Sequence, residues 1–425
     1  MRQESNLFSK VDWVLVLLFI LLVGFGWLNI FAASISDIEH FQVFDLSTKY
    51  GKQLIWISLS ILIIFIIMLL DSKIFERFSG IIYLISMLSL AGLFLFGKNI
   101  NGATSWYALG GFSLQPSEFA KMATSLALAR LLSDKQFDLK NLSNQFKAVT
   151  ILIIPAVLIT LQPDPGSALV YASFFFVLYR EGLPGYYIWI ALIGIGLFLL
   201  TLVFGFESIL ILCFSIISLV LIYINYFTKY SLKFQVPRIL LLYLISALWI
   251  FSVSYVYNNI FEQRHRDRFS IILGQTSDTQ GIGYNTNQSV LTISSGGLTG
   301  KGFLNGDRTQ GKFVPEQSTD YIFSTIGEEW GFLGSSFVVL LFAILIIRII
   351  VRAEQQRSNF ARIYGYCIAS IFFFHFLINI GMVIGILPTV GIPLPFFSYG
   401  GSALWGFTTL LFIFIKLDAA KDTVW

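Results

Sequence analysis

Long apolar runs separated by short polar stretches dominate the hydrophobic pattern of this chain. Runs of about 18 or more residues recur along its whole length, and a helix of that size can cross a hydrocarbon core of about 30 Å. Because lipid offers no hydrogen-bond partners, each run must satisfy its own backbone polar groups as an α-helix. The pattern therefore predicts an all-α fold, a polytopic transmembrane helical bundle of about 10–12 spans.

We place twelve spans along the chain as a single polytopic membrane domain covering residues 1–425. One connecting segment, residues 258–332, is much longer than the others and is rich in Gly, Ser, Thr, Asn and Gln. The predicted spans are residues 12–34, 51–70, 79–97, 117–132, 147–162, 166–180, 186–204, 207–228, 238–257, 333–350, 362–386 and 398–417.

Composition agrees with a membrane protein. Hydrophobic residues make up 56% of the chain and charged residues only 12%, about half the charge of a typical soluble protein, and nothing in this balance favours a nucleic-acid partner. The first apolar run has no small-residue cleavage site after it, so we interpret it as a retained span. Cys213 and Cys367 lie within apolar runs, where cysteine usually acts as a small hydrophobe, and we assign them neither a disulfide nor a metal.

The distribution of positive charge predicts the orientation. With an inner N-terminus, 18 of the 28 Lys and Arg side chains fall in inner segments and 9 in outer segments, while Lys121 lies inside a span. Six of the outer charges belong to the long 258–332 segment, which contributes little to the positive-inside rule. We therefore expect both termini in the cytoplasm and the long loop on the extracytoplasmic side.

The first unusual outer segment, residues 98–121, reads KNINGATSWYALGGFSLQPSEFAK. Its glycines predict a turn-rich stretch that leads into a helix beginning near Pro116. Glu118 and Lys121 lie three residues apart on one face of that helix, so a cap with an interfacial ion pair would account for them. A charge inside a span, however, costs about 2.5–3.5 kcal/mol and usually marks function.

The second unusual segment is LQPDPGSA, residues 161–168. Asp164 stands between two prolines in a predicted turn at the outer end of a span. It can simply accept hydrogen bonds from nearby backbone N–H groups. Its predicted level in the membrane also matches that of Glu118, so the two carboxylates can meet.

The long loop carries most of the remaining chemistry. Arg264, Arg266 and Arg268 lie within five residues of one another just outside a span. Guanidinium groups bind phosphate oxygens in a bidentate manner, whether of a substrate or of lipid headgroups. Further on, Asp320 precedes an aromatic and apolar stretch that returns to the membrane. A carboxylate partly removed from water at such a boundary is suited to act as a general base.

The last outer turn, LPTVGIPLPFFSYGGSA, is rich in proline, glycine and aromatic residues. It is either a rigid interfacial turn or a wall of a substrate groove. The three histidines, His40, His265 and His375, share no metal-binding spacing, and we interpret His375 as a packed, satisfied core histidine.

Taken together, these motifs resemble the SEDS family (shape, elongation, division and sporulation), and within it the elongation branch rather than the division branch. The resemblance rests on NGATSW, QPSEFAK, QPDPGSA, NQSVLTISSGGLTGKGF, VPEQSTDYIFSTIGEEWGFLG and LPTVGIPLPFFSYGGSA, which occur in the family's order. It implies a peptidoglycan glycosyltransferase that polymerises lipid II for cell elongation and rod shape. The implied partners are a class B penicillin-binding protein and other membrane proteins of the elongation complex.

The resemblance also implies roles for individual residues. It makes Asp320 the essential acidic residue, and it places Glu118, Lys121 and Asp164 in a polar cavity with Trp106 in the loop before it. The chain departs from the family at Ser105, where a basic residue is common, and in its twelve predicted spans, since ten are usual. Together with the charged residues of the long 258–332 loop, these motifs give the expected substrate-binding residues, which are Trp106, Glu118, Lys121, Asp164, Gln263, Arg264, Arg266, Lys301 and Glu316.

The expected reaction is an inverting transfer in which Asp320 takes the proton of the attacking sugar hydroxyl and undecaprenyl pyrophosphate leaves. Arginine and lysine side chains, or a divalent cation such as Mg or Mn held by Glu118 and Asp164, would stabilise the leaving group. Two alternatives remain open at this point. They are a flippase for the lipid-linked precursor, which would use the embedded charges as its pathway, and a non-catalytic scaffold of the wall-synthesis complex.

Overall fold

The structure is a computed structural model, and it describes residues 10–35, 45–100, 102–110, 112–227, 232–260, 263–272 and 283–421. The chain forms two compact units, one of Met1–Leu183 with Tyr284–Trp425 and the other of Pro184–Gly283. The expectation of a single domain over the whole chain stays a prediction.

Most of the described residues of the first unit lie in helices. Those before the second unit are α1 (Trp13–Ser34), α2 (Lys49–Leu69), α3 (Ser72–Arg77), α4 (Ser79–Phe96), α5 (Pro116–Leu132), α6 (Leu142–Thr160), α7 (Pro165–Leu169) and α8 (Phe174–Arg180). The second unit contains α9 (Tyr186–Phe204), α10 (Phe206–Phe227), α11 (Leu232–Tyr255) and α12 (Gln263–Ile272). The first unit resumes with α13 (Tyr284–Ser295), α14 (Asp307–Gln310), α15 (Ile322–Glu329), α16 (Gly331–Glu354), α17 (Asn359–Val383) and α18 (Gly401–Ala419).

The predicted polytopic helical membrane fold is confirmed. Within the described residues, ten helices are long and apolar enough to cross a membrane. The two other predicted spans differ from expectation. Residues 117–132 belong to α5, which has only 17 residues and carries three charged side chains, and residues 166–180 are broken by a 3-10 turn at Val170–Ser173. All three helices predicted between residues 186 and 257 are present.

The 98–114 region forms a small antiparallel sheet, whereas we expected only a turn-rich stretch. Its strands are β1 (Lys98–Ile100), β2 (Ala103–Leu109) and β3 (Phe112–Leu114), in the order β1-β2-β3. Gly102 and Gly110 adopt positive φ angles of 87° and 63°, which glycine reaches without a steric penalty. The sheet is attached to the turn after α6, because Gln162 O accepts a hydrogen bond from Thr104 N at 3.2 Å.

The core of the first unit lies around α17 and α18. The most apolar windows of these helices are 61% and 83% buried, far more than those of α2 or α4. α17 packs against α5 and α16, and α18 packs against α2 and α5. α5 is therefore an interior helix, and all of its polar side chains except Arg130 are buried in protein.

Candidate active site

The first part of the candidate site is a buried ion pair on α5. Pro116 occupies the first helical turn, where its missing N–H costs nothing, and the helix then carries Glu118 in the same turn. Lys121 Nζ lies 2.7 Å from Glu118 Oε2, and both side chains are at most 2% exposed. The predicted pairing is confirmed, but the pair lies in the protein interior and not at an exposed helix cap.

Two residues from other helices enclose the Lys121 ammonium group. His375 Nε2, from α17, lies 3.0 Å from Lys121 Nζ. The ring of Phe407, from α18, has its centroid 4.8 Å from the same nitrogen, a cation–π distance. His375 is buried as predicted, but the sequence did not indicate that it contacts a charged group.

Asp164 caps α7 in the turn that the sequence predicted. Its carboxylate accepts hydrogen bonds from Ser167 N at 3.1 Å and from the Ser167 hydroxyl at 2.8 Å. Gln115 Nε2, just before α5, also donates to Asp164 at 3.0 Å. The carboxylate is near enough to interact electrostatically with Lys121, so the turn belongs to the same polar cluster.

An extended stretch between α17 and α18, which we call the 388–394 segment, joins this cluster to Asp320. A Cβ atom on Gly166 would lie only 2.4 Å from Val390 O, so the Asp164 turn lies directly against the segment. A Cβ atom on Gly391, which has a φ of +77°, would lie 3.4 Å from Asp320 Oδ2. The segment is thus a wall shared by the Asp164 turn and Asp320, and its role as a wall of a substrate groove stays a prediction.

Asp320 lies in the turn before α15 and is half-buried. Its backbone carbonyl accepts a hydrogen bond of 2.8 Å from Asn379 Nδ2 of α17, and the same amide donates to Ile392 O at 2.7 Å. This single buried amide therefore connects the Asp320 turn to the 388–394 segment. The carboxylate is held at the boundary between the interior and the surface, as a general base would require.

A cation that the sequence analysis counted only as an outer charge lies near this turn. Lys49 Nζ, at the start of α2, donates to Ser318 Oγ at 2.8 Å and lies 5.9 Å from the ring centroid of Tyr399. A cavity of about 280 Å³ opens beside it and is lined by Lys49, Lys312, Ser47, Thr48 and Ser318, among others. Two lysines and several hydroxyls are suited to an anionic ligand.

Other predicted site residues lie in the same unit with different surroundings. Trp106 is half-buried in β2, opposite Lys98. Glu316 is exposed and accepts a hydrogen bond from the Thr319 hydroxyl. Lys301 is paired with Glu328 at 2.8 Å and with Asp307 at 3.0 Å. The structure does not test these residues as substrate ligands, so those roles stay predictions.

Gln263, Arg264 and Arg266 belong to α12 of the second unit. Gln263 donates to Asp267 at 2.7 Å, and Arg266 donates to Asn258 O at 3.3 Å. The side chain of Arg264 lies outside the described residues. Phosphate binding by these residues stays a prediction.

The arrangement of carboxylates bears on the expected divalent cation. Among the described residues, no group of three His, Cys, Asp or Glu side chains is placed to hold a metal ion. Glu118 is neutralised by Lys121, and Asp164 already accepts three hydrogen bonds. As arranged here, the two carboxylates do not form a ligand set for Mg or Mn, and no step below depends on a metal.

Two adjacent buried carboxylates, Glu328 and Glu329, lie at the end of α15. Glu328 accepts hydrogen bonds from Lys301, from the Thr309 backbone and hydroxyl, and from Arg308 N. Burial raises the pKa of Glu328, but these bonds outweigh it, and the net pKa is lowered. Burial raises the pKa of Glu329 to about 7. A hydrogen bond from the Leu304 backbone N–H opposes this rise, and the nearby Glu328 charge adds to it.

Glu329 should make stability fall as the pH rises. Its pKa in the folded protein is about 7, against an ordinary value of 4.5. The folded state therefore binds the proton more tightly, and up to about 3 kcal/mol of stabilisation is lost between pH 4.5 and 7. Glu329→Gln is expected to raise the Tm at pH 8 and to leave it nearly unchanged at pH 5. Thermal unfolding in detergent between pH 5 and 8 measures this, with exposed Glu316→Gln as the control. An unaltered pH slope in Glu329→Gln would contradict the assignment.

Sequence reasoning missed four residues of the site, which are Lys49, Gln115, His375 and Asn379. Signals for three of them were present. Lys49 lies in the first turn of a helix, where a cation is unfavourable beside the positive end of the helix dipole. His375 and Asn379 are polar groups inside an apolar span, which usually face a partner or a cavity. We find no comparable signal for Gln115.

Comparison with known proteins gives a consistent result. The model of the cell cycle protein family FtsW/RodA/SpoVE matches residues 12–236 and 208–423. The chain is similar to peptidoglycan glycosyltransferase RodA of Treponema pallidum, with 32% identity covering 93% of this chain and 95% of the relative. It is 30% identical to peptidoglycan glycosyltransferase MrdB of Escherichia coli K12, covering 94% and 92%. A solved structure described as "Structural coordination of polymerization and crosslinking by a peptidoglycan synthase complex" shares the fold, with a TM-score of 0.71 at 24% identity over 97% of this chain and 98% of that one.

Proposed function

The chain belongs to the FtsW/RodA/SpoVE family of cell cycle proteins, and we propose on this premise that it is a peptidoglycan glycosyltransferase that polymerises lipid II for cell elongation. The observation that carries the proposal is the match to curated glycosyltransferases over more than nine-tenths of the chain. The cluster of Glu118, Lys121, Asp164 and Asp320 around one shared wall provides the chemistry. A scaffold without catalysis has no need of so many buried polar groups.

The site faces the extracytoplasmic side in this proposal, and both termini are cytoplasmic. The support is the excess of Lys and Arg in the predicted inner segments. It also suits the substrate, because the disaccharide head of a lipid-linked precursor is presented at the membrane surface while its tail stays among apolar helices. The multi-pass bacterial cytoplasmic membrane is the corresponding location.

Asp320 acts as the general base in the proposed reaction. Its carboxylate takes the proton from the attacking sugar hydroxyl as that oxygen bonds to the anomeric carbon of a second lipid-linked disaccharide. The bond from that carbon to the lipid pyrophosphate breaks at the same time. A single displacement without a covalent intermediate inverts the anomeric centre. Asp320 is half-buried next to Gly391 of the 388–394 segment, and Ser318, two residues before it, lines the cavity beside Lys49.

The departing pyrophosphate gains negative charge, and cations must stabilise it. Lys121 is held in a dry site with one carboxylate partner, so its charge is worth more there than in water. Lys49 and Lys312 line the cavity beside Ser318 and offer a further anion contact. Lys121 supplies the electrostatic stabilisation that a bound divalent cation would otherwise provide.

A class B penicillin-binding protein is the proposed partner. The solved structure with the shared fold is described as a peptidoglycan synthase complex that coordinates polymerisation and crosslinking. A polymerase of this kind needs a transpeptidase to crosslink its glycan product. Other membrane proteins of the elongation complex are further proposed partners.

Reconstitution tests the function directly. The purified chain is placed in liposomes with labelled lipid II, with and without a class B penicillin-binding protein, and glycan products are separated on a gel. Polymer that depends on the chain supports the proposal. Movement of lipid II across the bilayer without polymer would instead identify a flippase. If neither activity were observed, only the scaffold function would remain.

Replacing Lys49 tests the cation at the cavity. Lys49→Met is expected to lower kcat/KM for lipid II by about 10- to 100-fold, because a charge-assisted hydrogen bond contributes about 1.5–3 kcal/mol. Lys49→Arg keeps the charge and should retain most of the activity. Polymerisation rates at varied lipid II concentrations measure both, and equal losses in the two variants would exclude a charge-based role.

A further inference from the structure

His375 has both ring nitrogens engaged by groups whose hydrogen-bonding character is fixed. Nδ1 lies 3.1 Å from Pro393 O, and Nε2 lies 3.0 Å from Lys121 Nζ. A carbonyl oxygen can only accept and an ammonium group can only donate. Nδ1 therefore carries the proton and Nε2 accepts, so the ring is neutral in the Nδ1–H tautomer.

The His375 ring is held in this orientation by packing. Its side chain is 1% exposed, and it meets the ring of Phe407 edge to face with centroids 4.8 Å apart. Phe407 also covers Lys121 Nζ. Rotation of the imidazole would break both of its hydrogen bonds and the ring contact, so the ring gives the ammonium group a fixed acceptor.

The same face of α17 also holds the Asp320 turn. Asn379 follows His375 by four residues, a spacing that places two side chains on one helix face. It donates to Asp320 O and Ile392 O, while His375 donates to Pro393 O, the next residue of the 388–394 segment. One helix face thus orients the Lys121 ammonium group and anchors the wall against which Asp320 lies.

We propose that His375 is a positioning residue for the glycosyl transfer, a neutral acceptor that aims the Lys121 ammonium group while its second nitrogen fixes the 388–394 segment. This inference rests on the proposed glycosyltransferase function. A neutral acceptor orients the cation without adding a further negative charge to that of Glu118, so the ammonium group can still stabilise the departing pyrophosphate. A second carboxylate at this position would neutralise it.

Three substitutions separate the contacts of His375. His375→Gln can place an amide oxygen where Nε2 lies and so keep an acceptor for Lys121. His375→Asn can place an amide nitrogen where Nδ1 lies and keep the bond to Pro393, but it loses the acceptor. His375→Phe keeps the ring packing and loses both bonds. The Tm of each variant shows whether the fold is retained.

We expect the three variants to differ in kcat, and these differences should not follow their differences in Tm. His375→Asn and His375→Phe should lower kcat for lipid II polymerisation by roughly 10- to 100-fold with little change in KM, since misplacing a catalytic group by about 1 Å has such an effect. His375→Gln should retain most of the rate. In a Lys121→Met background, His375→Asn should add less than about a twofold loss, because residues that act through one another are not additive. Equal losses in the Gln and Phe variants, or a full further loss in the Lys121→Met background, would overturn the proposal.

A spectroscopic measurement tests the contact without relying on activity. The chain has three histidines, so a His40→Gln, His265→Gln variant labelled with ¹⁵N-histidine reports on His375 alone in solid-state NMR of the protein in bilayers. The neutral Nδ1–H tautomer is expected from pH 5.5 to 8. An imidazolium ion or the Nε2–H tautomer overturns the inference. A wild-type chain that makes no polymer with its partner would overturn the proposed function instead, so the two failures are distinguishable.

Discussion

Asp320→Asn is expected to lower lipid II polymerisation by about 10² to 10⁴-fold, the usual contribution of a general base. The amide has nearly the same shape as the carboxylate, so the contact with Gly391 and the backbone bond to Asn379 can both persist. It cannot take a proton from the sugar hydroxyl. The loss should therefore appear in kcat, while the KM for lipid II and the Tm change little.

The matched control is Asp134→Asn, the same substitution at an exposed carboxylate in the turn between α5 and α6. It should polymerise lipid II at the wild-type rate. Gel-resolved glycan products from liposomes containing a class B penicillin-binding protein provide the measurement. Full activity in Asp320→Asn would remove the residue from the reaction, and the base would then have to be sought elsewhere.

Lys121→Met should lower stability as well as activity, because it leaves the Glu118 carboxylate buried without its partner. Breaking a buried ion pair on one side typically costs about 3–5 kcal/mol. The loss of a charge that stabilises the leaving pyrophosphate should reduce the rate further, by about 10² to 10³-fold for one well-placed electrostatic group. Thermal unfolding and polymerisation assays on the same preparation measure the two effects.

The double variant Glu118→Gln, Lys121→Met separates stability from catalysis. Replacing both members of a buried pair by neutral groups is often neutral or stabilising, so the Tm should recover towards that of the wild type. Polymerisation should stay low, because the cation is still missing. If activity returned together with the Tm, the pair would serve only the fold, and Lys121 would have no part in the reaction.

Much of the fold could be predicted because lipid offers no hydrogen-bond partners to the backbone. A long apolar run has few alternatives to a spanning helix, so the helices near residues 13–34, 49–69 and 331–354 followed from hydropathy and length. The β1–β3 sheet was missed, since its short strands carry no long periodic pattern and depend on two glycine turns and on contacts with the turn after α6. The broken helix at 165–180 was missed because a continuous apolar run does not reveal a 3-10 turn.

The candidate site likewise contains residues that the sequence indicated and contacts that it did not. A charge within or beside an apolar run is conspicuous in the sequence, which is why Glu118, Lys121, Asp164 and Asp320 could be selected one by one. The spacing of Glu118 and Lys121 even predicted their ion pair, because three residues separate neighbours on a helix face. Residues that are far apart in the sequence have no characteristic spacing. The contact between Lys121 and His375, 254 residues apart, could therefore not be predicted from the sequence.

The sequence by itself determined that this is a helical membrane protein, where its spanning helices lie and which ionisable residues are costly to place in a membrane. Each of these follows from the local cost of exposing polar groups to hydrocarbon. Only the tertiary structure decided which of these residues meet. The 388–394 segment brings the Asp164 turn and Asp320 against one wall, and α17 binds that wall and Lys121 through His375 and Asn379. Such contacts depend on how helices far apart in the sequence pack together, and no local stretch of the sequence specifies that packing.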